Sequence, residues 1–175
     1  MLRKLFITFS LVMLITGCQP SVQEQLLGEW ESSMFVNAQK FAELSDDPIP
    51  PGMQLELTYS GNFVFHHGYK YTEAGELVMR IYNNGEEVAL RFAVRDAGTW
   101  EVHDAVLVQT TTDSKITALD DISRNMLAQS PELADAFTPV KGESYSSDIQ
   151  RIDDDFVDLK MKEAPYLEVT LRRKK

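Results

Sequence analysis

A chain of 175 residues with 27 Asp and Glu against 17 Lys and Arg carries a formal net charge of −10. Such a surface repels phosphate backbones, which argues against a DNA- or RNA-binding role. The single cysteine excludes an internal disulfide, so packing alone must hold the fold.

Arg3 and Lys4 precede an apolar run from Leu5 to Gly17. As a helix at about 1.5 Å per residue this run spans roughly 20 Å. A bilayer's hydrocarbon core is about 30 Å thick, so the run predicts a secretory signal rather than a membrane span. Ile15-Thr16-Gly17-Cys18 resembles the lipobox of bacterial lipoproteins, in which the Cys is acylated and becomes the first residue. The expected plan is a lipoprotein signal peptide at 1–17, a lipidated tether at 18–26 and one β domain at 27–175. Cys18 is the expected lipidation site and membrane anchor. Gln19 follows it, where Asp often retains such proteins on the inner membrane. A place in the cell envelope is expected, facing the periplasm, with the outer membrane favoured. Without residues 1–17 the acidic excess grows, because the signal contains two basic and no acidic residues.

From Gly28 onward short apolar runs alternate with turn residues, as in an all-β sandwich or barrel. Strands are predicted at Gly28–Val36, Met53–Tyr59, Phe63–Tyr71, Leu77–Tyr82, Val88–Val94, Thr99–Val102, Val106–Thr111, Ile149–Ile152, Phe156–Met161 and Tyr166–Arg172. Asn37–Leu44 predicts one or two helical turns, and the proline-rich stretch from Asp46 to Gly52 a loop. Ser60-Gly61-Asn62, Asn83-Asn84-Gly85, Asp96-Ala97-Gly98, His103-Asp104, Asp153-Asp154-Asp155 and Ala164-Pro165 are the predicted turns. Helical spacing takes over in Leu119–Phe137, with Ile122, Met126, Leu133 and Phe137 on the buried face and a break at Ser130-Pro131. Most connections are too short for parallel crossovers. The expected fold is mainly β: an antiparallel meander closing into a lipocalin-like β-barrel of about eight or nine strands with one helical insertion.

Several strands alternate cleanly. Val88, Leu90, Phe92 and Val94 share one face, as do Val157, Leu159 and Met161, and Leu167, Val169 and Leu171. Phe92 and Met161 are the candidate ligand contacts on the inward faces, because Met and aromatic side chains adapt to varied apolar shapes; plain core filler is the competing reading. Phe63–Tyr71 and Leu77–Tyr82 are apolar on both faces. Either the helical insertion covers the outer one, or a partner protein docks there through Val64 and Val78, with pairing along an open strand edge as one mode. Arg172–Lys175 reads as a solvated basic tail that could touch lipid headgroups.

No catalytic constellation emerges, so no enzyme is predicted. His66 and His67 are adjacent, which on a strand sends them to opposite faces, and His103 is isolated. The Asp run lacks the ligand spacing of a calcium loop. No metal and no cofactor is implied.

Gly28-Glu29-Trp30 resembles the G-x-W of lipocalin-like barrels, where the Trp plugs one end, and Gly98-Thr99-Trp100 repeats it. Glu29-Trp30-Glu31-Ser32-Ser33-Met34, then Gly98-Thr99-Trp100-Glu101-Val102 with Leu107-Val108, then Gln150-Arg151-Ile152-Asp153 resemble segments of the ToxS family in that order. The resemblance, which extends to VtrC-like proteins, implies a periplasmic partner that protects or senses for a membrane-bound winged-helix regulator, with a barrel that binds bile-salt-like ligands. A lipobox in place of that family's uncleaved membrane helix is a departure, since an outer-membrane anchor would separate barrel and regulator. The alternative expectation is a stand-alone lipocalin-like lipoprotein that carries or senses a small hydrophobic ligand.

Overall fold

The computed structural model describes residues 20–37, 52–130, 138–165 and 167–175. Cys18, the signal run, most of the expected helix at Asn37–Leu44, most of the Asp46–Gly52 loop, and Leu133 and Phe137 lie outside them. Among the described residues the elements are α1 (Val22–Leu26), β1 (Gly28–Val36), β2 (Met53–His66), β3 (Lys70–Asn83), β4 (Glu86–His103), β5 (Val106–Ala118), α2 (Asp121–Gln129), β6 (Ser144–Ile152), β7 (Phe156–Met161) and β8 (Glu168–Arg173). Every strand pairs antiparallel with the next, and β8 returns to β1, so the hydrogen-bonded ladders form a closed ring. No described helix is long and apolar enough to cross a membrane.

Eight strands form the ring, within the expected eight or nine, and several are longer than expected. Ser60-Gly61-Asn62 is not a turn but lies inside β2. Asp96-Ala97-Gly98 lies inside β4, where the ladder with β5 shifts register between Ala97 and Gly98. Conversely, the expected strand Phe63–Tyr71 is cut by the turn at 67–69. Asn84 and Gly85 do form a two-residue hairpin loop, with φ of 51° and 89°, the left-handed pair such a loop requires. Asp104 and Ala105 make a second one between β4 and β5. At 153–155 the Asp153 carboxylate accepts hydrogen bonds from the Asp155 and Phe156 N–H groups at 2.9 and 2.7 Å.

Alternation fills the inside of the ring. Phe63 and Phe65 face in while Val64 faces out, and Leu77 and Met79 face in while Val78 faces out. The core falls into two clusters. One gathers Leu26, Trp30, Phe63, Phe65, Tyr71, Trp100, Leu107, Val157, Leu159 and Leu171 at the α1 end. The other gathers Val36, Leu57, Tyr59, Leu77, Met79, Leu90, Phe92 and Val94.

The α1 end is plugged. Ser21 and Glu24 form a capping box that starts α1 within what the sequence suggested was a plain tether. A helix end leaves carbonyls without partners. Here Trp30 Nε1 donates to the Leu26 carbonyl at 2.7 Å, and the Arg173 guanidinium donates to those of Gln25 and Leu27 at 2.5 and 3.0 Å. Arg173 also lies over the Trp30 ring, its Cζ 4.0 Å from the centroid. The basic C-terminus is therefore not a free tail: Arg173 belongs to β8, and Lys174 donates its backbone N–H to Glu29. Trp100 is also buried, with its indole N–H bonded to the Lys70 carbonyl, but it sits within β4 rather than at a strand start.

α2 covers part of the other end. Where β5 stops at Ala118, the Arg91 carbonyl accepts from Leu119 N–H and the Arg91 N–H donates to Ser123 Oγ at 2.7 Å. Asp120 caps the helix. Met126 and Leu127 pack on the second cluster, whereas Ile122, expected to be buried, is 56% exposed. The inward stripe is thus Ser123, Met126 and Leu127: Met126 packs as expected, and Ser123 takes the place expected for Ile122.

Truncating a fully buried aromatic typically costs about 3–5 kcal/mol. Trp30→Ala should therefore lower the urea midpoint by a corresponding amount at unchanged slope, and an unchanged midpoint would show that Trp30 is not the plug.

Candidate functional site: a cavity within the ring

The two clusters do not meet everywhere. Between them lies a cavity of about 500 Å³, inside the roughly 300–1,000 Å³ range of small-molecule sites. Met34, Leu57, Phe63, Leu77, Leu159, Met161, Val169 and Leu171 give it apolar walls. Ser32, Tyr59, Tyr71, Glu73, Asp96, Gln109, Thr111 and Tyr145 give it a polar side. Thr138, Pro139 and Val140 line it where β5, beyond Thr110, has no further pairs with β6.

Glycines shape this space. Gly61 and Gly75 face each other across β2 and β3. A Cβ on either would come within 2.5–2.6 Å of the Tyr59 hydroxyl, so the phenol lies over the pair. A Cβ on Gly98 would meet Tyr71 Cε1 at 2.6 Å. Tyr71 in turn bonds Thr111 Oγ1 at 3.3 Å.

The polar side is acidic. Glu73 and Asp96 stand opposite each other in the β3–β4 ladder, both directed inward. Like charges in that position repel. Enclosure in the ring, helped by the Asp96 charge, pushes the Glu73 carboxyl up to about 7 against the opposing effect of the nearby Tyr59 hydroxyl. Burial also raises Asp96, although Ser114 donates a short hydrogen bond to its carboxylate. Burial raises the Tyr59 and Tyr71 phenols as well. Ser32 Oγ and the Tyr59 hydroxyl are buried without a hydrogen bond of proper geometry. Among the described residues no Lys or Arg lines the cavity.

Of the sequence-chosen residues, Met161 lines the cavity, and Phe92 does not: it is fully buried in the second cluster, as filler would be. Val64 and Val78 do face outward, but they do not make one patch. Val64 lies between Glu29 and Thr72, and Val78 between Thr58 and Arg91. Six residues of strand separate their levels, about 20 Å. α2 packs toward β4 and β5, not over this face. The ring also leaves no wholly unpaired strand for a partner to extend. Sequence reasoning missed Glu73 and Asp96. Their inward direction follows from counting alternation from Tyr71 and Val94, but the expected strand ends at Tyr71 and turn at Asp96 interrupted the count.

A scan against protein-family models finds no match, and a search of curated proteins finds none, so neither lends support to a ToxS-like relationship.

The Glu73 shift sets a pH dependence. Below pH 4.5 folded and unfolded chains both hold the proton. Between there and about 7 the unfolded chain releases it and the folded chain keeps it, so stability falls as pH rises through this window. The full effect is roughly 3 kcal/mol. Glu73→Gln should match the wild type in urea midpoint near pH 4 and exceed it increasingly toward pH 8. A constant difference between the two proteins over that range would show that the folded state does not hold the proton.

Proposed function

We propose that the protein is a lipid-anchored, extracytoplasmic carrier or sensor of a small hydrophobic ligand, held inside a lipocalin-like barrel. The cavity of about 500 Å³ with largely apolar walls carries this reading. A closed eight-stranded ring is the size that holds one small ligand. One end is plugged by Trp30, Arg173 and α1. The tether enters at that plugged end, so an anchor at Cys18 holds the plug toward the bilayer and assigns ligand exchange to the opposite end, which α2 partly covers.

Partnership with a membrane-bound regulator, the reading drawn from the ToxS resemblance, uses the same cavity and adds a docking face. The separation of Val64 from Val78 and their polar neighbours favour the stand-alone reading.

Titration with N-phenyl-1-naphthylamine, a neutral apolar fluorophore, should give saturable enhancement in the micromolar range. Val169→Trp, which fills the cavity, should abolish the enhancement while circular dichroism still reports a folded β protein. Enhancement that survives in that variant would place the ligand elsewhere. For the anchor, Cys18→Ser should abolish incorporation of labelled palmitate in cells, and labelling that persists would refute acylation at Cys18.

A further inference from the structure

We propose that the ligand is a cationic amphiphile, an apolar body bearing an ammonium head, and that Glu73 and Asp96 receive that head; this rests on the ligand-binding reading above. Four observations on one side of the cavity converge. Glu73 and Asp96 face each other across the ladder with no basic side chain between them. On the outer face Arg95 and Lys115 stand opposite each other in the β4–β5 ladder and are exposed, so they leave the interior charge unbalanced. Ser32, only 3% exposed, lines the cavity with an oxygen that has no hydrogen-bond partner, and the Tyr59 hydroxyl, in a side chain 8% exposed, has the Glu73 carboxyl as its neighbour. The rest of the lining is apolar enough for a hydrocarbon body.

The chemistry selects the head. Buried polar groups without partners are costly, and so are like charges held together in a low-dielectric space. An ammonium brings a donor for the Ser32 oxygen and a counter-charge for both carboxylates. A carboxylate or sulfonate head, as in fatty acids and bile salts, adds a third negative charge and supplies no donor. A neutral alcohol supplies one donor and no charge, and falls between. The selection depends on pH through Glu73. The titratable groups around it are Tyr59 on β2, Tyr71 on β3, Asp96 on β4 and Tyr145 on β6, and all of these phenols are shifted upward. Glu73 is therefore the group whose charge changes between pH 6 and 8.

Competition experiments on the purified full chain test this. N-phenyl-1-naphthylamine bound at pH 8 is displaced by dodecylamine, dodecanol or dodecanoate, each kept below its micellar concentration. Dodecylamine should displace it at a concentration at least about tenfold below that of dodecanoate, the factor that ~1.4 kcal/mol supplies. In Glu73→Gln that ratio should collapse toward one. Should that variant fail to fold, Asp96→Asn and the wild-type pH series serve instead: dodecylamine affinity should rise from pH 6 to 8 while dodecanol affinity stays level. Dodecanoate competing as well as dodecylamine would overturn the choice of head and leave the cavity reading intact. Failure of the fluorophore itself to bind would overturn both.

Discussion

The closure of β8 onto β1 is the constraint on which the rest depends. Six- and nine-residue strands pair over only Trp30–Met34 on the β1 side, so the ring is sealed along a short seam. What reinforces that seam is one indole. Trp30 and Arg173 are direct cross-strand partners, and the guanidinium stacks on the ring while bonding the backbone carbonyls of Gln25, Leu27 and Asp154. A planar, permanently charged fork can reach several carbonyls and still lie flat on an aromatic face, which a lysine cannot. The same contact docks α1, closes the ring and seals one end, so the interior behind it is shut from that side.

With one end shut, the interior must be filled or left as space. Aromatic packing fills the plugged half: Phe63 stacks on Tyr71 at 5.2 Å and Phe65 meets Trp100 edge-on at 5.2 Å. Farther in, space opens between aliphatic walls and one polar side that carries Glu73 and Asp96. A protein selected only for stability would place a large apolar residue at position 73, where the fold instead confines a carboxyl that resists ionisation. Buried carboxyls with displaced pKa values are enriched at functional sites.

Much of the architecture could be read from the chain. Alternation in Leu90–Val94, Phe156–Met161 and Leu167–Leu171 marked the correct inward faces, while Val88, near the hairpin end of β4, is 39% exposed; the Asn-Gly hairpin formed where its backbone preference demanded. The class of fold and the order of the strands followed from short connections. Three things were not legible. The capped helix at Val22–Leu26 is too short for a periodic signal, and only the Ser21-x-x-Glu24 spacing marks it. The role of Arg173 depends on a partner more than 140 residues away. The apparent two-faced apolarity of Phe63–Tyr82 vanished once the register placed polar residues beside each outward valine.

The misread turns share a physical origin. Ser60-Gly61-Asn62 and Asp96-Ala97-Gly98 resemble strand breaks because they contain no large apolar group and include a glycine, as does the Glu73-Ala74-Gly75-Glu76 stretch between predicted strands. In the folded ring these three segments are neighbours: Gly61 opposes Gly75, and Glu73 opposes Asp96. Glycine there is required not by a turn but by the tyrosine rings and the neighbouring strands' carbonyls that crowd the position of a Cβ. Interrupting the hydrophobic pattern on three adjacent strands at one level removes the side chains that would have packed the middle of the ring. The cavity is the consequence, and the carboxyls that occupy its wall come from the same interruptions. Local sequence rules fail here together because they serve the site and not the strand. In a closed antiparallel sheet, turn-like segments that the strand lengths cannot accommodate as turns should be read as candidates for the lining of an internal cavity.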